Sequence, residues 1–293
     1  MRKILVTGGS GFIGRNLIES LSDKYEVLAP THSQLELTSD QAVANYFEAN
    51  NIDIVIHCAC KPGHRNACDP TDLVDANTRM FFNIARCADK YKKLIFVSSG
   101  AVYGMDHYQP KMKEDCFDRY VPNDEHGFSK YIISKYIENN DNIVELRVFG
   151  VFGKYEDYAI RFISNAICKA LFDLPITIKQ NRRFDYLYID DLPQVIDYFI
   201  RNDGAYKVYN VTPDEAVELY ALAEKVLKVS KKDLPIKVAQ PGLGVEYSGE
   251  NKRLRQEVRG LRFIPIDEAI KQLYAWYLDN KKLINKELLL VDK

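Results

Sequence analysis

Residues Ile4–Gly14, ILVTGGSGFIG, constrain this chain more than any other stretch. An apolar run (Ile4, Leu5, Val6) stops at Thr7 and Gly8. Glycines recur at Gly8, Gly11 and Gly14, and Gly9, Gly11 and Gly14 also satisfy the G-x-G-x-x-G spacing. Phe12, Ile13, Leu17, Ile18 and Leu21 then come at helical spacing. A strand that breaks into a glycine turn and re-enters a helix is how a dinucleotide pyrophosphate is held. The early glycine permits a tight turn, the middle one lets backbone approach the phosphates, and the last lets helix and strand pack closely. The helix N-terminus adds free N–H groups and the positive end of its dipole. Gly8, Gly11, Phe12, Ile13 and Gly14 are the candidate cradle residues.

The alternation continues beyond the turn. Strands are predicted at 3–7, 26–29, 54–58, 93–98 and 143–148, and helices at 12–21, 40–50, 73–89 and 125–139. That rhythm is the pattern of a parallel sheet with helices on both faces. Past residue 150, helical patterns at 158–171, 192–201, 216–229 and 266–280 are joined by loops containing proline and glycine. Pro235, Pro241, Gly242 and Gly244 mark the most irregular stretch. The expected fold is α/β: a Rossmann-type doubly wound parallel sheet with a smaller mixed α/β C-terminal substrate region. The expected organisation is a dinucleotide-binding domain over 1–150, with a return near 185–210, and a substrate-binding region over 151–293.

Composition narrows the partners. Lys and Arg total 40 against 41 Asp and Glu, so no basic excess argues for nucleic acid or an anionic membrane surface. No apolar run is long enough to span a bilayer, and Met1-Arg2-Lys3 leads into a strand instead of a signal peptide. The six cysteines, Cys58, Cys60, Cys68, Cys87, Cys116 and Cys168, form no paired C-x-x-C set. Reduced thiols in a cytoplasmic protein, with no bound metal, are expected.

Seven segments then occur in order: TGGSGFIG at Thr7–Gly14, IDIVIHCAC at Ile52–Cys60, LIFVSSGAVYG at Leu94–Gly104, HGFSK at His126–Lys130, LRVFGVFGK at Leu146–Lys154, RFDYLYIDDL at Arg183–Leu192 and YNVTPDEAVELYALAE at Tyr209–Glu224. With them the chain resembles, over nearly its whole length, an extended short-chain dehydrogenase/reductase of the NAD-dependent epimerase/dehydratase type, which acts on nucleotide-diphosphate sugars. The resemblance implies a catalytic Ser, Tyr and Lys. Ser99 takes the Ser position, and Lys130 the Lys position that holds the nicotinamide ribose. The Tyr position holds His126. Imidazole titrates near neutrality and can carry a proton, but it is shorter than a phenol, and Lys130 disfavours its charged form.

Further departures narrow the reaction. Gly100 and Ala101 stand where dehydratases of the family carry Asp-Glu. Ala101 and Tyr155 replace the Cys and His of the sugar 3,5-epimerase/reductases. Gly150 replaces a substrate-touching Asn, and Lys154 a Pro. What the resemblance leaves is a reductase of a 4-keto-6-deoxy sugar nucleotide, a nucleotide-sugar 4-epimerase, or a cofactor-binding protein with attenuated or no catalysis.

The second strand ends Leu28-Ala29-Pro30-Thr31-His32-Ser33 with no acid before Glu36. An acid there would bind the ribose hydroxyls of NAD. Its absence favours NADP(H), with Thr31, His32, Ser33 and Arg15 as candidates for the 2′-phosphate. By resemblance, Leu37, Cys58, Ala59 and Cys60 also line the cofactor, and Tyr103, Phe149, Arg183 and Arg253 join Ser99 at the substrate. Lys252 and Arg255 flank Arg253 in the same cationic segment. Asp190-Asp191 reads as a cap for the next helix. A homodimer through helices 73–89 and 125–139 is expected by resemblance.

Overall fold

The computed structural model describes residues 1–64 and 66–291. Its first half runs β1 (Lys3–Thr7), α1 (Phe12–Leu21), β2 (Glu26–Leu28), α2 (Asp40–Ala49), β3 (Ile54–His57), α3 (Leu73–Ala85), β4 (Lys93–Ser99), α4 (Glu125–Ile137) and β5 (Ile143–Val148). The second half runs β6 (Gly150–Phe152), α5 (Phe162–Leu171), β7 (Ile176–Asn181), β8 (Arg183–Phe184), β9 (Tyr186–Tyr188), α6 (Leu192–Arg201), β10 (Val208–Val211), β11 (Val217–Glu218), α7 (Leu219–Ser230), β12 (Ile236–Leu243), α8 (Lys252–Glu257) and α9 (Ile266–Asp279).

Six strands form one parallel sheet in the order β10-β5-β4-β3-β1-β2. The expected α/β doubly wound fold is therefore present. Chain direction across the sheet reverses between β1 and β3, the crevice where such sheets bind ligands. Alternation within the strands explains why the sheet is buried on both faces. Ile4, Val6, Ile54, Ile56, Ile95 and Val97 point into one core with α1, α5 and α6. Leu5, Val55, Leu94 and Phe96 point into the other with α2, α3 and α4. Because successive side chains alternate, a strand covered on both faces must be apolar throughout. Each fully buried aliphatic side chain contributes about 1.5–3 kcal/mol.

Register sets up one functional edge. Thr7 pairs with His57, and Ser99 with Val148. The residues just after these strands therefore emerge together at the carboxyl end of the sheet.

Several boundaries differ from the sequence reading for local reasons. The helix read to residue 89 stops at Ala85, and Ala88–Lys90 form a tight turn. The helix read from 158 begins at Phe162, because the Asp157 backbone carbonyl accepts the Ile160 and Arg161 N–H groups in a turn of its own. The helix read from 216 begins at Leu219, because Val217–Glu218 pair antiparallel with Arg183–Phe184. The stretch read as most irregular contains β12, parallel to β7 with a register shift between Gln240 and Leu243. Pro241 is tolerated there because most of the strand is exposed, and Gly242 takes φ +78° at the irregularity.

Candidate functional site

The glycine turn is closed by backbone. Gly8 adopts φ +69°, and a Cβ there would lie 2.7 Å from the Ala59 nitrogen. A Cβ on Gly14 would overlap the Gly8 carbonyl, 2.8 Å from its carbon. The Gly11 N–H donates to Gly8 O at 3.0 Å, which fixes the turn. α1 begins at Phe12 with no side-chain cap and no acidic residue in its first turn, so its positive end is open. An anion such as a pyrophosphate fits this cradle. Phe12 and Ile13 pack partly into the core behind it.

The third strand crosses the front of the turn. The Cys58 N–H donates to Thr7 O, and the Ala59 N–H to Thr7 Oγ1, both at 3.3 Å. Thr7 Oγ1 is also 2.8 Å from His57 Nδ1. His57 is buried and held neutral, its ring pushed down to about 3 by burial and by the Lys130 charge. Burial pushes the Cys58 thiol up to about 12 against the pull of Lys130. Asn77 on α3 braces the chain just past Cys60, accepting from the Lys61 N–H at 2.7 Å and donating to Lys61 O at 3.2 Å.

Ser99, the last residue of β4, accepts the Ala101 N–H at 3.2 Å. His126 and Lys130 lie one turn apart on α4, whose N-terminus Asp124 caps by accepting the Gly127 N–H. Lys130 is buried, with Nζ 4.6 Å from the centre of the Phe96 ring. Among the described residues no carboxylate forms an ion pair with it, and the Phe96 ring is the group its charge faces. His126 is half-buried, and its ring is pushed down to about 4. Burial is the largest cause, Lys130 and Arg161 add to it, and Asp124 opposes them. Its Nδ1 stands 3.9 Å from Cys60 Sγ.

Other expected contacts fall differently. The Arg15 guanidinium lies 3.6 Å over the Tyr155 ring, with Nε 3.6 Å from Glu19, so it is engaged away from the Thr31–Ser33 turn. In that turn Thr31 and Ser33 hydroxyls lie 3.0 Å apart, and His32 Nε2 is 2.7 Å from Glu36 Oε2. An acid therefore does reach the turn. Burial raises the Glu36 carboxyl, but hydrogen bonds from Thr38 and the His32 charge outweigh it and hold the group below its usual range. Leu37 is a core residue whose carbonyl accepts Asn83 Nδ2 at 2.9 Å, and its side chain faces α2 and α3.

Tyr103 is also not a surface for substrate. It is buried, donating to Asn210 Oδ1 at 2.6 Å and accepting from Arg147 at 2.9 Å. Arg253 is committed to Glu114 at 3.8 Å and to Asp115, and stacks on Tyr206. Arg255 is held by Asp214. Arg183 donates to Ala216 O at 2.9 Å and stays half-exposed beside Glu246 at 3.7 Å. Asp191 holds the N-cap position of α6, yet its carboxylate accepts the Ile264 N–H at 3.1 Å and does not cap the helix. Burial pushes that carboxyl up to about 6.

Two tyrosines not read from the sequence complete the Ser99 side. The Tyr247 hydroxyl shares hydrogen bonds with Ser99 and Tyr108, and Tyr108 donates to Gly100 O. A Cβ at position 100 would stand 2.6 Å from both hydroxyls, so glycine there makes room for them. Phe149 packs against Tyr103, Tyr108 and Tyr247 as the wall of this pocket. Asp185, fully buried next to this wall, is pushed up to about 7 by burial. Tyr247 sits in the aperiodic stretch after Pro241, where no local pattern marks it. Asp185 is visible in the sequence only as part of the RFDYLYIDDL segment.

A chain with this sheet, this glycine cradle and a Ser, His and Lys at one sheet edge is an α/β dinucleotide-fold protein. Residues 4–212 match the model of the NAD dependent epimerase/dehydratase family, and the chain belongs to that family. Its fold is similar to that of a GDP-L-fucose synthetase from Naegleria fowleri, at 18% identity and TM-score 0.82, covering 97% of this chain and 95% of that one. It is similar to a UDP-glucose 4-epimerase from Thermotoga maritima, at 19% identity and TM-score 0.80, covering 96% and 100%. A GDP-mannoheptose C4 reductase from Campylobacter jejuni with NADP bound matches at 18% identity and TM-score 0.80, covering 94% and 98%. At these identities the likeness is one of fold.

Proposed function

We propose that this protein is an oxidoreductase of nucleotide-diphosphate sugars that uses a nicotinamide dinucleotide, with reduction of a 4-keto-6-deoxy sugar nucleotide as its reaction. The observation that carries this reading is Lys130: a buried ammonium with no carboxylate partner among the described residues, within electrostatic reach of His57, Cys58 and His126. Family membership and the likeness to a fucose synthetase and a C4 reductase support it.

In this reading the N–H groups at the start of α1 hold the pyrophosphate, and the Lys130 ammonium holds the nicotinamide ribose. A bound nicotinamide dinucleotide supplies or receives the hydride. Ser99 Oγ hydrogen-bonds the sugar oxygen, with Tyr247 fixing its orientation. Neutral His126 takes the carbinol proton on a ring nitrogen in the oxidation direction and returns it in reduction. NADP(H) is the proposed form, bound at Thr31, His32 and Ser33 after His32 exchanges Glu36 for the 2′-phosphate. A homodimer through α3 and α4, which pack on each other, is part of the proposal, and light scattering on the purified chain tests it.

The test is oxidation of NADPH and NADH by the purified protein with a panel of 4-keto-6-deoxy sugar nucleotides. Turnover with at least one, lost in His126→Ala, supports the reading, and no turnover with any overturns it. A second reading, 4-epimerisation, is favoured by the neutral state of His126, which suits the oxidation half-reaction, and by the likeness to the UDP-glucose 4-epimerase. It requires purified protein that carries tightly held dinucleotide and interconverts C4 epimers without added cofactor.

A further inference from the structure

Three hydroxyls connect the pocket to the backbone behind it. Ser99 is half-buried, and Tyr247 and Tyr108 are buried. The Tyr247 hydroxyl hydrogen-bonds both of the others, and Tyr108 donates to Gly100 O. Glycine at position 100 admits the two phenols, since a Cβ there would lie 2.6 Å from each hydroxyl. Phe149 takes the space of a Cβ on Gly249 in the same way, also at 2.6 Å. Burial, with the nearby Asp185 charge, raises the Tyr247 hydroxyl, and burial raises that of Tyr108 well above its usual range. Both phenols therefore keep their protons at neutral pH.

Counting those protons gives the chain a direction. A carbonyl can only accept, so the Tyr108 proton is spent on Gly100 O. The bond between Tyr108 and Tyr247 must then use the Tyr247 proton, and the bond between Tyr247 and Ser99 the Ser99 proton. Ser99 Oγ has two lone pairs, and one of them receives the Ala101 N–H at 3.2 Å. Among the described residues no other hydrogen bond reaches this oxygen. Ser99 thus faces a ligand with one lone pair and no proton to give.

We propose that Tyr108 is a positioning residue that fixes the direction of this chain and makes Ser99 an acceptor, so that the resting site takes a sugar hydroxyl in preference to a keto oxygen. A keto oxygen can only accept. To be met by Ser99 it must turn over all three hydroxyls and deprive Gly100 O of Tyr108. The loss is one neutral hydrogen bond, about threefold to tenfold in affinity. Under the reduction proposed above, the hydroxyl form is the product; under epimerisation it is the substrate. That the ligand is a sugar rests on the proposed function, whereas the direction of the chain does not.

Neutron diffraction from crystals of the full-length protein in heavy water locates the hydroxyl deuterons. A Ser99 deuteron toward Tyr247 and a Tyr247 deuteron toward Tyr108 support the chain, and a Tyr247 deuteron directed at Ser99 overturns it. Titration calorimetry, with and without NADP, then compares UDP-, GDP- and dTDP-hexoses bearing a C4 hydroxyl with their 4-keto-6-deoxy derivatives. Tyr108→Phe keeps the ring and frees the Tyr247 proton to be donated to Ser99. The ratio of hydroxyl-form to keto-form affinity should fall about threefold or more from its wild-type value. An unchanged ratio, including equal loss of affinity for both forms, overturns the positioning role. Tyr247→Phe releases the Ser99 proton directly and should lower the same ratio, so it decides the point if Tyr108→Phe fails to fold. Binding of no member of the panel by the wild-type protein overturns the proposed function and leaves the chain to be judged by the neutron map.

Discussion

In the cradle, Gly8 and Gly14 offer backbone, and one added methyl would strike Ala59 or the Gly8 carbonyl. Two strands away along the same sheet edge, at the candidate residues Ser99, His126 and Lys130, the groups in question are side chains. The first region has one solution, because its geometry leaves no volume for an alternative. In the proposed reading the second is where chemistry varies, with His126 at the position where the family resemblance implies a tyrosine. The shape of the glycine turn is set by sterics, whereas the chemistry proposed for the second region depends on which titratable groups the scaffold carries.

The sharpest way to break this contrast is Gly14→Ala. The new Cβ overlaps the Gly8 carbonyl, so the turn must open, and dinucleotide affinity should fall by about a hundredfold or more with loss of about 2–3 kcal/mol of stability. Fluorescence titration and thermal unfolding measure the two effects, and unchanged values would mean the cradle is not sterically closed.

His57 joins the two regions, and its consequence is acid lability. Its folded-state value near 3 lies below the unfolded value near 6.5, so the unfolded chain binds the extra proton first. Stability should be complete above about pH 6.5 and decline as pH falls toward about 3, by about 2–4 kcal/mol from this group. Urea unfolding at pH 7 and pH 4.5 should show a smaller difference for His57→Phe, whose ring can keep the stacking on Phe96. An equal difference in both proteins would contradict the assignment.

Lys130→Met tests the pocket alone. Removing the cation should raise His126 from about 4 toward its ordinary value, visible by NMR titration, and weaken dinucleotide binding about tenfold. The smallest effect expected is from Glu36→Gln. Freeing His32 from its 2.7 Å partner should improve NADPH binding about threefold and leave NADH nearly unchanged. A gain for NADH instead would place the ribose hydroxyls against a cationic His32.

The same contrast explains how much is legible in the sequence. The turn, the first five strands and their helices carry local signals, since apolar runs, caps and glycines lie within a few residues of each other. Ser99, His126 and Lys130 can be singled out as candidates because each sits in a segment whose neighbours mark it. Tyr247 and the engagement of Arg15 by Tyr155 depend on residues far away in the chain, and nothing local encodes them. Arg253 and Tyr103 look like ligand-facing groups because a lone cation or phenol shows no partner in sequence; folded, each has one. β12 is hidden by the same Pro241 and Gly242 that make its irregular end.

The sixth strand carries a consequence for how the molecule is made. β10 reaches the sheet only after the chain has built β6 through α6, and it then covers the open edge of β5. Until Asn210 arrives, the Tyr103 hydroxyl has no acceptor and the Glu145–Arg147 pair lies at an uncovered edge. A nascent chain that has emerged only to β5 therefore holds a complete glycine turn on an unfinished sheet. The edge beside β5 is completed only when residues 208–211 join it, four strands away from the phosphate cradle that follows β1, so the two ends of the sheet are finished at opposite ends of synthesis.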